Sequence, residues 1–163
     1  SGVFQPSNDE GKEVFAGVGL TKYIEASEQV QTKADDDARN NLAQVLADFN
    51  KGIIRYHQAV KEPTQSGWIS KEKLHTAISD TAVTLLLETE VVDTWTHPIS
   101  SDSFTLAQLD LKKVQSALTS DTELNEREKE SVKFITKWVF KNMQLQKERQ
   151  LLFSKLNRAM AMD

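Results

Sequence analysis

The sequence predicts an α/β chain of the α+β type: an antiparallel sheet of three or four strands with long helices packed on it and a helical carboxy-terminal extension. Three observations predict this. Apolar residues recur every three or four positions from residue 30 to 60 and again beyond residue 125. Alternation with period two marks residues 14–20, 85–96 and 104–110. Six glycines and three prolines are too few for an all-β chain that turns every ten residues.

Residues 1–12 are polar and aperiodic and read as a flexible leader. Val14, Ala16 and Val18 then share one face at period two, with Phe15 on the other, which predicts a strand. Its Gly17-Val18-Gly19 lacks the third glycine of a dinucleotide loop and any Gly-Lys-Ser/Thr, so close packing of a strand on a helix is the reading. Val30, Ala34, Ala38, Leu42, Val45, Phe49, Ile53, Tyr56 and Val60 form the stripe of an amphipathic helix. Its small early members predict close approach to the sheet. Gly52 costs about 1 kcal/mol in a helix interior, so a stop near residue 50, with Ile53–Val60 as a strand, competes with an unbroken helix. From Ile24 that helix would run roughly 55 Å.

Pro63 and Gly67 mark a loop, and Ser70 is placed to cap a second helix with Leu74, Ala77, Ile78, Thr81 and Ala82 inside. The alternation from Leu85 to Thr96 predicts a long strand, His97–Ser103 a turn, and Phe104–Asp110 its antiparallel partner. Leu111–Leu118 reads as a short helix, and Ser120-Asp-Thr-Glu123 fits a capping box. From Asn125 a long helix follows, with a thin stripe between Gln144 and Gln150. It is either two packed pieces or one helix that projects and wants a partner. The domain expectation is a leader at 1–12, an α/β domain at 13–118, and a helical segment at 119–163 packed on that domain or extending from it.

With no cysteine, the 163 residues hold no disulfide, thiolate metal site or cysteine nucleophile. The longest apolar run, Thr81–Leu87, is far short of a membrane span. The net charge is −4 and unevenly spread: residues 125–163 carry nine basic and five acidic side chains. An acidic body disfavours nucleic acid. Complementary charge favours folding of the basic tail back onto that body.

No catalytic, cofactor-binding or metal-binding residue is predicted. His57, His75 and His97 lack metal-ligand spacing, and His97 beside Pro98 reads as a turn residue. Asp35, Asp36 and Asp37 point in different directions around a helix and read as a solvated face. Glu88 and Glu90 share a strand face and read as solvent-facing acids rather than a glycosidase pair. The serines of Ile99–Ser103 carry no Gly-x-Ser-x-Gly elbow. Trp95 and Trp138 read as core, while Trp68 packs over a helix end or serves as a contact residue.

Four pieces in order carry a resemblance: Val14-Phe-Ala-Gly-Val-Gly19; Ala34-Asp-Asp-Asp-Ala38-Arg39 followed by Leu42-Ala43; Val91-Val-Asp93-Thr-Trp95; and Phe104-Thr-Leu106-Ala107-Gln-Leu109. Together they resemble the LPP-twenty lipoprotein family, small envelope lipoproteins of Gram-negative bacteria, several of them antigens. The resemblance covers about residues 13–118. It implies helices on an antiparallel sheet and a precursor lipid-anchored through an amino-terminal cysteine, absent here; a cut just after that cysteine would explain the Ser1-Gly2 start, and a cloning remnant would explain it equally well. It brings no catalytic motif. Arg39 and Trp95 look structural in it. The expected function is that of a non-catalytic cell-envelope lipoprotein, outer membrane-anchored or periplasmic, acting as a binding or structural module. Its partner would be a protein or an envelope component, with membrane contact only through the anchor and no nucleic acid or cofactor. The alternatives are a small ligand-binding or enzymatic domain with a fold-assembled site, and helix-mediated assembly through residues 125–160.

Overall fold

The computed structural model describes residues 2–4, 13–23, 30–60 and 67–161. In chain order the elements are β1 (Gly2–Phe4), β2 (Val14–Thr21), α1 (Val30–Ala59), α2 (Lys71–Leu87), β3 (Glu90–Thr96), β4 (Ser103–Asp110), α3 (Leu111–Leu118) and α4 (Glu126–Ala161). The strands form one antiparallel sheet in the order β1-β2-β4-β3. The α+β class expected from the sequence is the class found.

Close approach of α1 to the sheet is written in small residues. A Cβ at Gly17 or Gly19 would run into the backbone of Ala34, Ala38 and Leu42, so only glycine lets β2 lie against α1. Ala34 and Ala38 are themselves fully buried. Phe15 completes this side of β2, meeting Phe49 of α1 with ring centroids 4.7 Å apart and Phe140 of α4 at 5.1 Å. Thr105, Ala107 and Leu109 of β4 point to the same side and are buried.

The core continues through Ile53, Ile69, Leu74, Val114, Leu118, Val132 and Ile135. It therefore runs across the division at 118 and 119 expected from the sequence. Polar ties fix the helices. Lys73 of α2 donates to Glu128 of α4 at 3.0 Å, Gln115 of α3 donates to Thr136 of α4 at 2.9 Å, and Lys137 pairs with Glu13 at 3.2 Å.

Several expectations are corrected. Within the leader expected at 1–12, Gly2–Phe4 pairs with β2; three residues are too few to show a period. Residues 5–12 lie outside the described residues, as do 24–29 and 61–66. α1 does not stop near residue 50, and Ile53 is buried in its stripe. The strand expected from Leu85 begins only at Glu90, because Leu74, Ala77, Thr81 and Leu85 extend the buried face of α2. Three successive leucines fit either period, and the helical one won.

The cap of α4 is not built from Ser120 and Glu123. Asn125 and Glu128 form it reciprocally: the Glu128 N–H donates to Asn125 Oδ1 at 2.8 Å, and the Asn125 N–H donates to Glu128 Oε1 at 3.0 Å. Ser70 caps α2 as expected, accepting from the Lys73 N–H. The basic tail folds back only in its first half, where Lys137 pairs with Glu13. Residues 126–143 of α4 supply core contacts, whereas those from Leu145 to Ala161 are exposed throughout.

Candidate interaction surface

Helices cover one side of the sheet. On the other, register places residues in rows across β2, β4 and β3. Leu20, Phe104 and Trp95 form one row, Val18, Leu106 and Asp93 the next, and Ala16, Gln108 and Glu90 the third. Val14 and Ala16 are buried, but Val18 and Leu20 are 43% and 44% exposed and Trp95 is 52% exposed. Trp95 lies 4.9 Å from its cross-strand partner Phe104. The core role expected for Trp95 is thus corrected: strand alternation carries it to the solvent side. A register shift between Val91 and Asp93 leaves Val92 exposed as well.

This apolar face is bounded at β2, where β1 stops opposite Ala16. Beyond that point α1 supplies the missing edge partners. Asn41 donates to the Val18 carbonyl at 2.6 Å, and Asp37 accepts from the Leu20 N–H at 2.9 Å. Asp35 accepts from the Thr105 hydroxyl at 2.7 Å and from Gln31 at 2.8 Å. Two of the three aspartates read as a solvated face are therefore fasteners between helix and sheet. The diverging directions seen in the sequence are real, but no sequence pattern shows what each meets.

The second exposed apolar surface is the distal half of α4. Leu145, Leu152, Phe153, Leu156 and Met160 are all more than half exposed. At helical spacing they fall on one arc, with Arg149 inside it. Trp138, read as core, is 45% exposed and stacks on Tyr56 at 4.3 Å.

Two of the three histidines hold backbone groups. His57 donates through Nε2 to the Ile69 carbonyl at 2.7 Å and stacks on Trp68. His97 Nδ1 accepts from the N–H groups of Ile99 and Ser100, closing the turn as expected. His75 Nε2 and Trp68 Nε1 are buried without hydrogen-bond partners. Trp68 packs between His57 and Phe134, which makes it a packing residue. Among the described residues no group of three His, Asp or Glu side chains is placed to hold a metal ion.

A cleft of about 790 Å³ lies between the end of α2 and α3, lined by Asp80, Glu88, Glu90, Lys112, Lys113 and several hydroxyl residues. Glu88 caps α2 and Glu90 begins β3, so the two acids are not the strand pair expected. Glu90 pairs with Lys113 at 3.3 Å, and the Thr81 and Thr89 hydroxyls donate to the carbonyls of Ala77 and Leu86. No histidine lines the cleft.

The chain matches no protein-family model, and no curated protein matches it. Among the described residues no helix is long and apolar enough to cross a membrane.

Proposed function

We propose that this protein is a non-catalytic binding module of the bacterial cell envelope that works by docking macromolecules on its apolar surfaces. The observation that carries the reading is the pairing of an exposed sheet face around Trp95 with an exposed helix stripe around Leu152. Soluble proteins rarely leave contiguous apolar patches larger than a few hundred Å² without a binding use. The envelope assignment and the lipid anchor rest on the sequence pieces that resemble the LPP-twenty family.

The test is photo-crosslinking in the native cell with a reactive residue at position 95 or 152. A discrete macromolecular adduct from the envelope fraction is the expected result. No adduct at either position would end the docking reading. A chain made without a signal segment and recovered from the cytosol would end the envelope assignment.

A further inference from the structure

We propose that two copies of this chain form a two-fold dimer in which the distal half of α4 of each copy lies across the open sheet face of the other. The inference rests on the docking reading above and names its occupant.

Three observations carry it. First, the two surfaces cannot cover each other within one chain. Phe140 of α4 meets Phe15, so α4 leaves the body on the helix-covered side of the sheet, away from the face of Val18, Leu20 and Trp95. From Glu126 to Ala161 the helix contains no glycine or proline at which to bend back.

Second, the charges are complementary. Residues 144–161 carry four basic side chains and one acidic one. Strands β2, β3 and β4 carry Asp93 and Asp110, a Glu90 that pairs with Lys113 of α3, and no lysine or arginine. Two distal helices laid on each other would bring like charges together, with Arg149 inside the apolar arc. On the sheet, Asp93 stands in the row of Val18 and Leu106 as a counter-charge for it.

Third, the dimensions and symmetry close. Three strands at about 4.8 Å spacing offer a face roughly 14 Å wide, which seats a helix about 10 Å across. An 18-residue helix is about 27 Å long, so its footprint is roughly 270 Å². Made twice and counted on both partners with the full helix seated, the contact buries at most about 1,100 Å², in the range of weak, concentration-dependent association rather than of obligate dimers. A reciprocal exchange about a two-fold axis is closed and does not grow into fibres.

The experiment is sedimentation equilibrium of the full chain with two surface variants. L152E/L156E spoils the helix, and V18K/W95K spoils the sheet face. Circular dichroism spectra and thermal melts establish that both fold. Wild type is expected at twice the 18.4 kDa chain mass. Each variant alone is expected to lose at least tenfold in dimer affinity. An equimolar mixture is expected to regain a heterodimer, because it restores one intact helix on one intact sheet. Rising salt is expected to weaken wild-type association.

A wild-type monomer at 100 μM would overturn the dimer, and so would binding of that monomer to anionic phosphatidylglycerol vesicles, which would make a lipid surface the occupant. Loss in the helix variant only, with no rescue on mixing, would overturn the helix-on-sheet geometry. A monomer that still crosslinks to another protein at position 95 or 152 leaves the docking reading standing while the dimer fails.

Discussion

Gly52 of α1 lies under Val139 of α4: a Cβ added at Gly52 would come within 2.9 Å of Val139 Cγ1. The glycine that argues for a helix stop in the sequence is where a second helix crosses. Helix propensity alone would make Gly52→Ala stabilising by about 1 kcal/mol. The contact opposes it, since Val139 is buried and valine is stiff at χ1. Gly52→Ala is expected to destabilise the chain by about 1 kcal/mol. The same change in a Val139→Ala background is expected to stabilise it by a similar amount. Urea denaturation of the four proteins in the cycle measures the coupling.

That position shows what kind of information the sequence carries. The stripe from Val30 to Ile53 was legible because burial on one face repeats with the helical period. So were the β2 glycines as a close-packing signal, and Ser70 as a cap. What crosses Gly52 was not legible, because a tertiary neighbour leaves no local pattern. Trp95 failed for a related reason. Alternation locates the two faces of a strand, but only the positions of the helices decide which face is covered. The candidate surface is half visible in the sequence: the apolar marks on α4 show there, yet Trp95 of the sheet face reads as core.

Phe140 and Trp95 test that reversal. Phe140 is fully buried against Phe15, and its truncation to alanine is expected to cost about 3–5 kcal/mol. Trp95→Ala loses mainly the ring contact with Phe104 and is expected to cost about 0.5–1.5 kcal/mol. Both are measured at protein concentrations low enough to exclude association. A larger loss for Trp95 than for Phe140 would put the core on the wrong side of the sheet.

Asp37 and Asn41 occupy the backbone groups of β2 at Leu20 and Val18, where β1 no longer pairs. Each bond is worth about 0.5–1.5 kcal/mol to stability. The larger consequence is protection of an otherwise open edge. The double variant D37A/N41A is expected to lose about 1–3 kcal/mol and to aggregate faster than wild type when both are heated below their midpoints. Light scattering reads the second effect. Equal aggregation rates at equal stability would mean that the edge needs no guard.

Glu128 links acid stability to the start of α4. The Asn125 N–H it accepts, followed by the Lys73 ammonium, holds its carboxyl below the ordinary glutamate range, against a smaller opposing effect of burial. A carboxylate with a depressed folded value adds stability that is fully present above its unfolded value, about 4.3. That stability is lost as pH falls through the folded value, because the unfolded chain then binds the proton more readily. Glu128→Gln keeps a capping side chain but removes the charge that Lys73 meets. Wild type is therefore expected to be the more stable of the two at pH 7, with the gap closing as pH falls below about 4. Lys73→Met is expected to lower stability at pH 7 and to converge with wild type over the same acid range. Urea midpoints taken from pH 7 to pH 2.5 follow both differences. A gap between wild type and Glu128→Gln that stays constant to the lowest pH would show that the carboxylate charge contributes nothing there and that only the cap holds the helix end.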